Sequence, residues 1–219
     1  MLILRPTNLP KLMLPVLTHT FTALAVFAAS AAAQQAQISH PRVAQSSDQF
    51  VLRVDSAHSS VHWTLDSSLH TVHGTFHVKR GSVAIDPATG KASGEIVVDA
   101  TSGESGNDSR DKKMHKEVLE SEKYAEIIFR PDTVDGTIAR QGNSNVTLHG
   151  IFSLHGAEHE FSAPAKVEMS ADHFKGSAAI SVPYIEWKFK NPSNFLLKVK
   201  PVAEVEVELA GSVQAASAH

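Results

Sequence analysis

Apolar and polar residues alternate with a period of two along most of this chain, and that is the pattern of strands with one dry face and one wet face. Val61, Trp63 and Leu65 alternate with His62 and Thr64, and Phe76 and Val78 flank His77. A turn at Asp86-Pro-Ala-Thr-Gly90 leads into Ser93–Ala100. Tyr124–Phe129 reads as a strand closed by Arg130-Pro131. Val146, Leu148, Phe152 and Leu154 share one parity, and Gly156-Ala-Glu158 turns the chain into Phe161, Ala163, Ala165, Val167 and Met169. Ile180, Val182 and Tyr184 follow, and Val205, Val207 and Leu209 oppose Glu204, Glu206 and Glu208. About eight strands separated by turn signals predict an antiparallel sandwich or barrel.

One segment breaks the period. Asn107 to Glu122 places Met114, Val118 and Leu119 on one helical stripe, with Asp108 or Ser109 as the expected N-cap. This predicts a short helix of about ten residues between two strands, too short to be stable unless it lies on the sheet or across a barrel mouth.

The ends of the chain read differently. Arg5 and Lys11 precede a mostly apolar run, Leu12 to Ala29, which ends in Ser30-Ala31-Ala32-Ala33. A basic start, an apolar stretch and small residues predict an export signal over residues 1–33. Residues 34–49 read as a leader without periodicity, 50–211 as the domain and 212–219 as a tail. The expected location is periplasmic or secreted.

Composition closes several routes to function. The 219 residues include no cysteine, which excludes disulfides, thiolate metal sites and a cysteine nucleophile. A net charge of −3 argues against nucleic acid as a partner. Histidine is abundant, at 13 residues. His62, His70, His73 and His77 offer an alternative reading as a metal site, although His73 and His77 stand about 13 Å apart on an extended chain. The plainer reading makes them outward polar positions. His155-Gly-Ala-Glu-His159 has the spacing of inverted zinc proteases, but it falls where a hairpin is expected, not on a helix. No G-x-S-x-G is present and no spacing selects a catalytic triad. The reading is a protein that is not an enzyme and needs no cofactor.

Several local motifs together resemble the YceI-like family of periplasmic proteins. Asp55-Ser-Ala-His58-Ser59 is close to its D-x-x-H-S start, and Val72-His-Gly74-Thr-Phe76 to its V-x-G-x-F. Arg110-Asp-Lys-Lys-Met114 through Leu119, Tyr124, Ile127 and Phe129 resembles its R-D-x-x-M signature, and Val146-Thr-Leu-His-Gly150 its L-T-x-x-G hairpin. Ala125 replaces the family's usual proline, Asp66-Ser-Ser-Leu69 stands where a second histidine is frequent, and Pro183–Leu197 differs from the usual Phe-Gly-rich ending.

The resemblance implies an eight-stranded lipocalin-like barrel that binds a polyisoprenoid or similar lipid. Burying a prenyl chain of about forty carbons is worth on the order of 30 kcal/mol at about 0.8 kcal/mol per CH₂, so passage through water needs a carrier. On this reading the apolar faces line the interior: Val61, Trp63, Leu65, Ile96, Val98, Phe129, Leu148, Phe152, Phe161, Ile180, Val182, Trp187, Val205 and Val207. Arg110 is the candidate contact for a head group. Transient membrane contact and a homodimer are the expected associations.

Overall fold

The computed structural model describes residues 49–193 and 195–215. The predicted signal over 1–33, the leader up to residue 48 and the tail residues 216–219 lie outside them. The strands are β1 (Phe50–Val54), β2 (Ser60–Asp66), β3 (Thr71–Asp86), β4 (Lys91–Glu104), β5 (Glu126–Asp135), β6 (Gly142–Leu154), β7 (Ala157–Met169), β8 (His173–Val182) and β9 (Ala203–Ala215). Each strand from β3 to β9 pairs antiparallel with the next, and β1 and β2 both pair with β3 on one side and β9 on the other. β1 and β2 are therefore two halves of one broken stave. The nine strands fill eight positions, and the choice between sandwich and barrel falls to a closed barrel. β9 reaches Ala215, which pairs with Phe50, so the boundary expected at residue 211 falls inside the last strand.

The break in the first stave is built by the D-x-x-H-S motif. Asp55 Oδ1 accepts from the Ala57 amide at 3.0 Å, and His58 Nδ1 lies 2.8 Å from Asp55 Oδ2. These contacts, His58 first, hold the Asp55 carboxyl below its ordinary value. The Ser59 hydroxyl donates to the Asp55 carbonyl at 2.7 Å and accepts from the Ala210 amide at 3.1 Å. Side chains thus satisfy backbone groups that the ladder loses where the stave bends.

A second irregularity lies in β3, whose register to β4 shifts between Val78 and Arg80. The bulge moves the inward parity from Phe76 and Val78 to Val83 and Ile85. It also sets Lys79 and Arg80 side by side. Glu126 Oε1 receives both Lys79 Nζ and Arg80 Nη1 at 2.9 Å, and Arg80 Nη2 reaches Glu95 Oε1 at 3.0 Å. The Arg80 and Lys79 bonds pull Glu126 from its ordinary 4.5 to about 2. Pro131 does not close its strand as expected. β5 runs on to Asp135, and the proline sits beside a register shift to β6, where a missing N–H is tolerated.

His155 (φ 53°) and Gly156 (φ 76°) form a two-residue turn between the paired Leu154 and Ala157. Positive φ at both turn positions matches the twist of a hairpin. The protease-like pentad is thus a hairpin with one histidine on the turn and the other on β7. The helical segment starts with α1 (Asp108–Lys113) and continues as a π-helix, Met114–Leu119. Its cap is Asn107, which accepts from the Arg110 amide at 3.0 Å, in place of the expected Asp108 or Ser109.

Buried side chains form two clusters. One packs Phe50, Leu52, Val83, Ile85, Val134, Ile138, Val146, Val167, Met169 and Phe174. The other packs Leu154, Val182, Tyr184 and Phe189 under Val118 and Leu119 of the π-helix. Phe50 is 0% exposed and sits on the strand that completes the ring. Phe50→Ala is expected to cost about 3–5 kcal/mol, the range for emptying a buried phenylalanine site. Urea unfolding measures it, and a loss below about 1 kcal/mol would show that β1 does not hold the barrel shut. Glu126 has a folded pKa below its unfolded one, so its contribution is present above about pH 4.5 and is lost as pH falls toward about 2. Glu126→Gln is expected to flatten the decline of thermal stability across that window, read by melting at a series of pH values.

Candidate functional site

Between the two clusters the barrel encloses a cavity of about 150 Å³. Of the predicted lining residues, Ile96, Val98, Phe129, Leu148, Phe152, Phe161, Ile180 and Val207 face it. Val61, Trp63, Leu65, Val182, Trp187 and Val205 do not. Val61 and Trp63 are buried in the wall, where the Trp63 ring covers Gly74 and lies 6.5 Å from Phe76. Leu65, Val182, Trp187 and Val205 pack in the second cluster. Alternation puts five of these six on the dry side of the sheet, and Trp187 lies on the connection between β8 and β9; position along the barrel axis decides whether a dry residue meets space or another side chain.

The lining also includes residues that the pattern did not single out. Val83 and Ile85 lie past the bulge that reverses the parity of β3. Ile138 comes from the loop between β5 and β6, which has no period to read. Ala163, Ala165 and Ala178, small residues on the inward parity of β7 and β8, line it as well.

The lining is almost wholly carbon, which suits an apolar occupant. The volume is that of a site for a benzene-sized group, below the roughly 300–1,000 Å³ of preformed ligand pockets. A larger recess, about 570 Å³, crosses the outside of β6 to β9 and has polar walls including Asp135, Lys166, Glu206 and Glu208. Recess and cavity share Ala165, Ser177, Ala178 and Val207, so the wall is thin there.

The same seam is short of ladder. β7 and β8 pair only from Ala165↔Ala178 to Met169↔Phe174, whereas β6 pairs with β7 along its full length. The ladder ends at Pro164, which has no N–H to offer β8. Beyond it Trp187, on the strap between β8 and β9, stacks flat on His159 with centroids 4.0 Å apart and planes 7° apart. It also lies 5.7 Å from Phe152 and 6.1 Å from Phe161, two of the cavity residues. Within the strap the Tyr184 hydroxyl donates to the Lys200 carbonyl at 2.6 Å, and Lys190, 2.6 Å from Glu117, ties the strap to the π-helix. Burial raises the Tyr184 pKa, which keeps that hydroxyl a donor. His159 Nε2 and Trp63 Nε1 are buried without hydrogen-bond partners. His155 Nε2 stands 3.3 Å from Glu120 Oε2 without hydrogen-bonding geometry.

Arg110 lies away from the cavity. Its Nε donates to Ser105 Oγ at 2.7 Å and its Nη2 to the Ser105 carbonyl at 2.9 Å. Asp111 also holds Ser105, through the amide at 3.0 Å and through the hydroxyl. Burial pushes the Asp111 carboxyl up, but these bonds and Arg110 leave it below its ordinary value. Met114 packs beside Gly103 and Phe76. His115 spans Ser121 Oγ at 2.9 Å and the Gly103 carbonyl at 2.7 Å. The R-D-x-x-M signature therefore docks the helix on the end of β4.

His62, His70, His73 and His77 are all exposed, and His73 Nδ1 lies 3.0 Å from Thr64 Oγ1. Among the described residues no three His, Asp or Glu side chains converge on a metal position.

Trp187→Ala is expected to leave the barrel folded and to speed exchange of a bound apolar dye by at least about tenfold, because one ring covers the unpaired part of the seam. Stopped-flow displacement measures this, and unchanged exchange would place the path elsewhere.

The barrel has solved counterparts. One is BcnA of Burkholderia cenocepacia, 17% identical, with TM-score 0.56 over 72% of this chain and 99% of that one. A polyisoprenoid binding domain from Saccharophagus degradans implicated in plant cell wall breakdown is 16% identical, with TM-score 0.53 over 76% of this chain and 98% of that one. The YCEI protein of Campylobacter jejuni is 14% identical, with TM-score 0.53 over 66% and 86%. No curated protein matches the sequence. The YceI-like domain matches residues 52–214, from within the first half-stave to within the last strand, and the chain belongs to the YceI-like family.

Proposed function

We propose that this protein is an exported, non-enzymatic binding protein that takes an elongated apolar chain, a polyisoprenoid or a similar lipid, into the barrel. The observation that carries this reading is the interior cavity, lined by carbon and bounded at one end by a strap and a short helix, not by a rigid turn. The solved polyisoprenoid binding domain with the same fold supports the ligand class. The N-terminal sequence supports export.

The volume shapes the mechanism. At about 150 Å³ the cavity is a starting channel, and a long chain enters only if the lining yields. The yielding part is the strap end, where the β7–β8 ladder stops and aromatic contacts replace it. A chain that enters there exchanges contact with Trp187 and Phe161 for contact with itself, so the cost of opening is partly offset. The unpartnered His159 Nε2 lies beside this path and offers one hydrogen bond to a polar end.

Purification without detergent, extraction with organic solvent and mass spectrometry test the reading. A stoichiometric prenyl or fatty chain is the expected result. A bare polypeptide, with no uptake of added polyprenol, would overturn it. Gly176→Leu supplies the structural control. A Cβ at Gly176 meets only the Lys166 carbonyl, at 4.0 Å, so the larger side chain can enter the cavity without backbone clash. This variant is expected to melt at or above the parent's temperature while losing most of the extracted lipid. Full lipid content in Gly176→Leu would show that the chain lies elsewhere.

A further inference from the structure

Among the described residues three large apolar side chains are exposed: Leu69 at 69%, Phe195 at 93% and Leu196 at 77%. They are distant in sequence but belong to one place. The Ser68 amide donates to the Lys198 carbonyl at 2.8 Å, the Lys198 amide donates to Ser68 Oγ at 3.1 Å, and Ser67 pairs with Val199. Leu69 and Phe195–Leu196 are thus the tips of two loops joined by a short antiparallel ladder. That ladder continues β2 past the barrel rim, on the strap that carries Trp187.

The strap that carries two of these tips is rich in positive charge. The strap between Val182 and Ala203 carries Lys188, Lys190, Lys198 and Lys200 against the single acid Glu186, in a chain whose net charge is −3. Lys190 and Lys200 are held by Glu117 and Asp66 at 2.6 and 2.7 Å, which fixes the strap to the helix and to β2. Apolar tips on a strap whose exposed Lys188 and Lys198 lie outside these two ion pairs fit a surface that is apolar within and anionic at its face.

We infer that Leu69, Phe195 and Leu196 form a docking tip for an anionic lipid bilayer, with the strap lysines over the headgroups and the strap end of the barrel turned toward the membrane. The purpose of such a tip rests on the carrier reading above, but its physical basis, exposed apolar tips with local positive charge, is independent of it. Docking would bring Trp187 and the unpaired end of the β7–β8 seam toward the surface from which an apolar chain is taken. Water would then be excluded from the transfer path at the moment of opening.

The test is co-sedimentation of the purified protein with vesicles of phosphatidylglycerol and phosphatidylethanolamine, alongside phosphatidylcholine vesicles. Binding to the anionic vesicles is expected, weaker binding to phosphatidylcholine, and a marked loss at about 0.5 M salt. The double variant Phe195→Ser, Leu196→Ser is expected to lower partition into anionic vesicles at least tenfold. Both side chains are exposed, so its melting temperature should match the parent's. No binding by the parent to anionic vesicles, or equal binding by the double variant, would overturn the inference. So would a parent dimer that the double variant converts to monomer, since a second copy would then cover the patch. Solvent extraction of the double variant keeps the two proposals apart. Unchanged lipid content with lost vesicle binding supports docking as a separate function of the tip. Vesicle binding by a parent that carries no lipid would leave docking standing and remove the carrier reading.

Discussion

Closure of the ring is the constraint on which everything else in this barrel depends. A sheet with free edges would present unpaired N–H and C=O groups, and a closed one presents none along its paired rungs. Here closure falls to the first stave, which must meet β3 on one side and β9 on the other. It does so in two pieces. Asp55, His58 and Ser59 hold the bend between them and supply hydrogen bonds where the ladder is interrupted. Phe50 and Leu52 of the first piece then fill one end of the interior.

An eight-position barrel has an interior just wide enough to be filled by side chains or to hold one small ligand. Here side chains fill both ends and leave a narrow apolar cavity between them. The opposite ends differ in kind. Around Phe50 the core belongs to continuous strands. At the strap end it is assembled from pieces that are not ladder: a π-helical turn, a long connection and the hairpin at His155–Gly156. A π-helix is a costly local geometry that often marks a functional position. Here His115 on that turn reaches two separate partners, which ties the lid to the end of β4. That end also adjoins the seam where the β7–β8 ladder stops at Pro164.

Much of the fold was legible in the sequence. The eight barrel positions follow from eight alternating segments, and the added strand is the half-stave ahead of Asp55. Two motifs of the family resemblance mark structural joints, the stave break and the docking of the helix, whereas Val146–Gly150 lies within β6 and Val72–Phe76 within β3. Arg110 shows the limit of such motifs. Its Nε and Nη2 donate to Ser105 and fasten the helix beside β4, and it is not among the residues that line the cavity. The site was legible only in part. Parity names the residues that face inward, and eight of the named residues do line the cavity. Parity carries no information about height along the axis, so it could not separate Trp63, in the packed wall, from Phe161, beside free space.

By itself the sequence determined the strand period, the opposed facing of neighbouring side chains within an unbroken strand, and the segment that interrupts the strands. Each of these depends on neighbours only a few residues apart. The sequence placed the hairpin turn one residue late, at Gly156-Ala-Glu158 where the chain turns at His155–Gly156. The tertiary structure alone decided that the stave is broken, that the β3 bulge reverses parity and that the seam stops at Pro164. It also decided that Leu69 and Phe195–Leu196 stand together beyond the rim. These depend on register between segments far apart in the chain, and register is set when the whole ring closes.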